Sequence, residues 1–380
     1  MQVAGALGHE HAARVDRRRL VELFERLERV SPPPVRRRVV RIDLGRGTKR
    51  VPRFVVKPQA LSLQAQEEPR HGIVGRFTGQ QIGPYVANEV IGRGGMGEVY
   101  RGVRVETGEL VALKVLHAQF QGEKDQLERF FREAEVTSQL ASPHIVHVLD
   151  RGRAPDGSPY LAMELLVGYD LAHALRRHSR IGMNDVLEMV SHVAGGLSAA
   201  QEAGIVHRDI KPQNVFRARV GGGAAMWKVL DFGVSKISDF AGTLTHGAIV
   251  GTPGYMSPEQ ARGLPLSHRS DVFSLGALAY RALVGRPAFH ASDPLSTTYQ
   301  VVHKMPARPS EIVPKLHADV DFVLALALAK DSKDRFKSAV SFAAALRDAS
   351  RGELDDRLRA AAKELLARNP WGTDRTDRKE

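Results

Sequence analysis

The chain has 380 residues, 43% apolar and 26% charged, a composition ordinary for a globular protein and a length sufficient for two or three compact units. It holds no cysteine, which excludes a disulfide framework, a thiolate metal site and a cysteine nucleophile. Its net charge of +12 is uneven: residues 1–70 carry 16 Lys/Arg against 8 Asp/Glu, so the first 70 residues are a separate problem from the rest.

No apolar run reaches the ~18–20 residues of a membrane span. The purest stretch, Phe322 to Ala329, is far shorter and lies inside a helical pattern. The N-terminus lacks the basic start and apolar core of a secretory signal. These features point to a cytoplasmic protein.

In chain order, Leu20, Leu23, Phe24, Leu27 and Val30 recur at helical spacing and predict a helix over 11–30. Ser31-Pro32-Pro33-Pro34 ends it, because consecutive prolines lack the donors a helix needs. Residues 35–80 are basic, with scattered Pro and Gly and no sustained period, and read as a linker or arm. From Tyr85 the pattern becomes β-rich: a glycine-rich loop follows Ile91, Glu98 to Val105 alternates, and Leu110 to Leu116 forms a further strand. A helix is expected over 126–140. After Asp150 the chain turns mainly helical. Asn184 to Ala203 is periodic and stops at Gly204, and Asp271 to Val284 is apolar almost all round, the mark of a fully buried helix. A helix and polar tail close the chain over 352–380.

Four motifs carry chemistry. Gly92-Arg93-Gly94-Gly95-Met96-Gly97 opens onto a strand rather than a helix, unlike a dinucleotide-binding turn, so it caps a hairpin. Val111-Ala112-Leu113-Lys114 puts a cation in an apolar strand. A carboxylate turned toward a core is costly unless paired, which nominates Glu133 as its partner, with Glu135 on another helix face as the competitor. His207-Arg208-Asp209-Ile210-Lys211-Pro212-Gln213-Asn214 packs a carboxylate, two cations and an amide into one loop. Asp231-Phe232-Gly233 comes next.

In this order and spacing the set resembles the protein-kinase signature, and its wording, with Ser257 to Gly263, looks most like the bacterial Hanks-type serine/threonine kinases. The resemblance covers 85–347. It implies an α+β, two-lobed fold with a β-rich N-lobe at 85–163, a hinge at 164–168 and a mainly helical C-lobe at 169–347. It implies ATP and Mg²⁺ (or Mn²⁺) as cofactors and protein Ser/Thr hydroxyls as acceptors.

By that resemblance Asp209 is the catalytic base, Lys211 offsets charge on the γ-phosphate, and Lys114, fixed by Glu133, holds the α- and β-phosphates. Asn214 and Asp231 bind metal. Ile91, Gly92, Arg93, Gly94, Gly95, Met96 and Gly97 cover the phosphates. Val99 and Ala112 from above and Phe216 from below enclose the adenine. Met163 is the gatekeeper, and the backbones of Glu164 and Leu166 bond the adenine edge. Glu259 pairs with Arg335 and Asp271 anchors the catalytic loop, both as scaffold. Ser257 departs from the usual Ala. Thr252 shapes the pocket for an aliphatic hydroxyl.

Arg208 and Lys236 form a receptor for a phosphate carrying about −1.5 to −2 charges, with Thr243 and Thr245 as acceptors of autophosphorylation through a transient dimer. The alternative reading is a pseudokinase scaffold that binds nucleotide without turnover. A nucleic-acid role has only the basic arm behind it, and the arm lacks interleaved aromatics. Its Leu20–Val30 stripe, opposite Arg17, Arg18, Arg26 and Arg29, fits docking on a partner or an anionic surface instead.

Overall fold

The computed structural model describes residues 38–42, 49–53, 73–94, 97–117, 131, 134–135, 137–232 and 253–372. The chain divides into two compact units, Met1–Pro69 and Arg70–Glu380. In the first, within the stretch read as a linker, β1 (Arg38–Ile42) and β2 (Lys49–Arg53) pair antiparallel, with Val40 opposite Val51. The β-branched run Val39-Val40 suits a strand, but two short strands flanked by glycines give too brief a period to read. The helix predicted over 11–30 lies outside the described residues.

In the second unit a six-stranded antiparallel sheet forms the N-lobe, in the order β3-β4-β5-β6-β8-β7. The strands are β3 (Gln81–Ile82), β4 (Tyr85–Gly94), β5 (Gly97–Arg104), β6 (Leu110–Leu116), β7 (Val148–Arg153) and β8 (Pro159–Glu164). Register sorts their side chains. Tyr100, Leu113 and Ala162 stand in one row, and Val99, Lys114 and Leu161 in the next, on the other face. The lobe begins earlier than the expected residue 85: Phe77 and Ile82 are buried with Tyr85 in its core. Gly72, Gly75 and Gly79 interrupt that segment, which hides its few apolar anchors from a periodicity reading. Of the helix expected over 126–140, residues 131, 134–135 and 137–138 are helical and Ala134, Thr137 and Leu140 are buried.

Three short strands, β9 (Gly168–Asp170), β10 (Val215–Arg219) and β11 (Ala225–Val229), lie in the order β11-β10-β9. The helices of the C-lobe are α1 (Leu171–His178), α2 (Met183–Glu202), α3 (Pro258–Ala261), α4 (His268–Val284), α5 (Pro294–His303), α6 (Pro309–Ile312), α7 (Ala318–Ala327), α8 (Ala339–Arg351) and α9 (Asp356–Arg368). Helix α2 turns Val186, Met189, Val190, Val193 and Leu197 inward as its period requires, and Gly204 follows in the left-handed region at φ 73°. Helix α4 is buried on nearly every side, packed against α2, α7 and α8.

Helix α9, beyond the stretch covered by the resemblance, is part of the C-lobe core. It buries Ala362 and Leu365 against α7, and Arg359 donates to both oxygens of buried Asp319 at 2.9 and 2.8 Å. Gly372 then donates to the Pro306 carbonyl at 2.8 Å. Leu365→Ala is therefore expected to destabilise the protein by about 2–5 kcal/mol in urea unfolding, as for a core leucine. A cost below about 0.5 kcal/mol, the surface range, would show α9 to be an accessory.

Candidate active site

The loop between α2 and β10 that carries Asp209 holds only a single 3-10 turn, Pro212–Asn214. It hangs from Asp271, a buried carboxylate in the first turn of α4, which accepts the His207 N–H at 2.8 Å and the Arg208 N–H at 2.9 Å. Burial pushes the Asp271 carboxyl up, and the two backbone donors pull the other way. The loop is thus suspended from the most buried helix of the domain.

His207 fixes the other side. Its Nε2 lies 3.0 Å from the Leu230 carbonyl, and its Nδ1 accepts the Asp209 N–H at 3.2 Å. That pattern needs a neutral ring protonated on Nε2. Burial holds the imidazole below its ordinary range, which favours the neutral ring, and it packs 4.6 Å from the Phe232 ring. Gln260 completes the frame by donating to the Arg208 carbonyl at 2.7 Å.

Two of the three described non-glycine residues with positive φ are Arg208 (68°) and Asp231 (48°). Such conformations cost on the order of 1–3 kcal/mol and persist only where surrounding bonds over-determine them, as Asp271 and Gln260 do for Arg208.

The chemistry-bearing side chains converge in two groups. Asp209 Oδ2 lies 2.8 Å from Lys211 Nζ, and Asn214 Nδ2 donates to the same oxygen at 3.0 Å and to the Asp209 carbonyl at 2.8 Å. Those bonds orient the Asn214 amide, so its Oδ1 faces away as an acceptor. Asn214's carbonyl accepts the Leu230 N–H at 2.8 Å, which brings the start of β10 beside the residue preceding Asp231. In the second group, Lys114 Nζ is 2.7 Å from Asp231 Oδ1, a contact across 117 residues that joins the N-lobe sheet to the C-lobe.

Asp231 is therefore the partner of Lys114 in this structure; Glu133 lies outside the described residues. Its competitor Glu135 is engaged elsewhere, 3.1 Å from Arg151 on the surface. Gly95, Met96, Lys236, Thr243, Thr245 and Thr252 also lie outside the described residues.

Above these groups Val99, Ala112, Met163 and Leu166 gather in one apolar cluster with Leu161 and Leu230. Phe216 stands on β10 opposite Asp170. Ile91 is half exposed, and the Arg93 side chain turns back to Glu98 and the Val74 carbonyl. Glu164 spends its N–H on the His147 carbonyl at 3.0 Å, so the expected adenine contact falls to its carbonyl.

The glycines divide by cause. A Cβ on Gly97 would lie 2.1 Å from the Val115 carbonyl oxygen, so strand packing alone demands glycine there. A Cβ on Gly94 would meet nothing within 4 Å, and one on Gly92 only Val99 at 3.7 Å. Among the described residues, packing does not demand glycine at 92 or 94.

Leu230, Lys228 and Gln260 go beyond the residues read from sequence. Leu230 closes the apolar cluster, as the last residue of the apolar run before Asp231 could have signalled. Lys228 pairs with Glu164 at 2.6 Å, tying β11 to the hinge. Ser257 caps α3 reciprocally with Gln260, at 3.2 and 3.0 Å, which explains why serine replaces alanine and could have been read from the Ser-x-x-Gln spacing. Arg335 meets Glu259 with two bonds, at 2.7 and 2.8 Å, as expected. Burial works against the charged form of Glu259, but Arg335 and the Ser270 hydroxyl outweigh it, and the carboxyl titrates below its usual range.

Residues 85–347 match the protein kinase domain, and the chain belongs to that family, among the bacterial Hanks-type serine/threonine kinases. It is similar to serine/threonine-protein kinase Pkn1 of Myxococcus xanthus, 39% identical over 71% of this chain and 39% of that protein. It is also similar to pkn3 of the same organism, 36% identical over 73% of this chain and 52% of that protein. Serine/threonine-protein kinase PknB of Mycobacterium tuberculosis is 36% identical over 71% of this chain and 43% of its own length. The chain thus spans about half or less of these relatives. The crystal structure of the Mycobacterium tuberculosis PknI kinase domain aligns with a TM-score of 0.58 at 30% identity, over 72% of this chain and 98% of that one.

The His207 geometry predicts a pH effect. The folded imidazole titrates below the ordinary 6.5, so its contribution to stability is complete above that pH and is lost as pH falls below it, where the unfolded chain takes up the proton first. Melting temperatures between pH 5 and 8 should fall more steeply with acid for the wild type than for His207→Phe. Parallel curves would remove His207 as the cause.

Proposed function

We propose that the protein is an ATP- and Mg²⁺-dependent serine/threonine protein kinase. The observation that carries this reading is the pair of groups around Asp209 and Asp231, each with a cation within 2.8 Å, under a glycine-rich hairpin.

The donor set suits a magnesium nucleotide. Lys114 offers a fixed cation for phosphate oxygens. Asp231 and the Asn214 Oδ1 offer hard oxygens, and a magnesium ion keeps the phosphate and water ligands it prefers. When bound, the nucleotide supplies the phosphoryl group and the metal neutralises its charge.

The chain's own residues do the positioning. Asp209, held by Asn214 and Lys211, would orient a Ser or Thr hydroxyl and take its proton as the oxygen bonds to the γ-phosphorus and the bond from that phosphorus to the departing nucleoside diphosphate breaks. Lys211, beside it, offsets the charge spread over the transferred group. Met163, Val99, Ala112 and Leu166 provide an apolar slot for a base, with Phe216 on the opposite side. Lys211 and Thr252 favour an aliphatic hydroxyl over a phenol.

Asp209→Asn and Lys114→Met should each lower kcat on a Ser/Thr peptide at least about 100-fold, the lower range for a general base, with the circular dichroism spectrum unchanged. Wild-type turnover is expected on the order of 1–100 s⁻¹. Undiminished transfer by Asp209→Asn would defeat the mechanism, and a correctly folded wild type without transfer would favour the pseudokinase reading.

Activation is assigned to autophosphorylation of Thr243 or Thr245 in a transient dimer, with Arg208 and Lys236 receiving the phosphate. The Arg208 backbone is held by Asp271 and Gln260, which fixes the point from which its side chain leaves the loop. Mass spectrometry after incubation with magnesium and ATP should find phosphate on one of the two threonines. Fully active enzyme with 233–252 unmodified would overturn this assignment. The basic N-terminal extension read over residues 1–80 is proposed as a docking or regulatory segment.

A further inference from the structure

The glycine-rich hairpin is not held by its sheet alone. Residues 73–78, upstream of the stretch matched to the family, run beside its base. Val90 donates to the Ile73 carbonyl at 3.0 Å, and the two residues form an isolated antiparallel bridge. The bridge falls at an irregularity. Pairing with β5 steps from Val90 opposite Tyr100 to Gly92 opposite Val99, so Ile91 is an extra residue. An extra residue bends a strand and re-aims the chain beyond it. Beyond Ile91 lies the loop expected to cover phosphates.

Side chains then tie the hairpin to this segment. Arg93 Nη2 donates to the Val74 carbonyl at 2.8 Å, while its Nε lies 3.0 Å from Glu98. Glu98 accepts the Arg76 N–H at 3.2 Å and the Tyr100 hydroxyl, and that hydroxyl oxygen accepts the Phe77 N–H at 3.1 Å. Glu98 thus joins the tip of β4 to the backbone of residues 76–77.

Gly75 sits where only hydrogen fits. A Cβ there would lie 2.4 Å from Val90 Cγ2, 2.6 Å from the Tyr100 hydroxyl and 2.8 Å from Glu98 Oε2. Phe77 is buried and pins the downstream end. A cavity of about 250 Å³ lined by Arg76, Phe77, Glu98, Val115, Leu116 and His117 lies beside it.

We propose that residues 73–78 are a strap that sets the aim of the glycine-rich hairpin, with Arg93 and Glu98 as positioning residues for nucleotide binding. This rests on the reading of that hairpin as the nucleotide cover.

The test uses the full-length protein carrying Arg93→Ala, Glu98→Gln or Gly75→Val. The readouts are the Kd of a fluorescent ATP analogue with Mg²⁺, KM for ATP and for peptide, and the melting temperature. Each variant should raise Kd and KM for ATP about 3- to 10-fold, the scale of one or two lost hydrogen bonds, while KM for peptide stays fixed. Arg93→Lys should recover part of the loss. An unchanged Kd in folded Arg93→Ala and Glu98→Gln overturns the strap, even if the melting temperature falls. Those two variants also decide the matter should Gly75→Val not fold, because Arg93 is half exposed and Glu98→Gln keeps its volume. A wild type that binds no analogue overturns the nucleotide reading and the strap together.

Discussion

The catalytic end of the molecule depends on the buried carboxylate of Asp271. A carboxylate sealed inside a helical core is costly unless donors surround it. Here the donors are backbone N–H groups of His207 and Arg208, so the helix and the loop satisfy each other. That exchange fixes Arg208 in a left-handed conformation, and the chain leaving it carries Asp209 toward Lys211 and Asn214. His207 reinforces the arrangement from the other side, because a neutral ring both donates to Leu230 and accepts from Asp209. The loop before β10 and the residue before Asp231 are thereby held as one body.

The ion pairs around this body are unequal. Arg335 is fully buried and meets Glu259 through two bonds, and breaking such a pair costs about 3–5 kcal/mol because one charge is stranded. It locks the residues after the activation segment to the C-lobe. Arg151–Glu135 is exposed and belongs to the class worth about 0–1 kcal/mol. Lys114–Asp231 stands between these cases, with a largely buried lysine and a half-exposed carboxylate. A contact of that kind is exchangeable, as the proposed nucleotide site requires.

The edges of the domain show why a family boundary is not a folding boundary. Upstream of residue 85, Phe77 and Ile82 complete the N-lobe core; downstream of residue 347, Leu354, Ala362 and Leu365 complete the C-lobe. Both additions lie outside the residues that carry chemistry. Each supplies apolar area to a lobe whose sheet or helices would otherwise leave a face uncovered. The strap and α9 are thus parts of this chain's version of the fold.

Residue types and spacing were enough to nominate the proposed site, because phosphoryl transfer needs a carboxylate, fixed cations and oxygen ligands in a set order along two lobes. Asp209, Lys211, Asn214, Lys114 and Asp231 were legible on that ground, as were helix α4, apolar on every side, and the Asp271 and Glu259–Arg335 anchors. Contacts between segments far apart in sequence were not legible. That Lys114 meets Asp231, that Gly97 is demanded by the Val115 carbonyl while Gly94 is not, and that Gln260 holds Arg208 depend on distances between strands and loops that no local pattern encodes. The strap escaped for the same reason. Ile73, Gly75 and Phe77 have no period of their own, and their meaning comes only from the hairpin against which they lie.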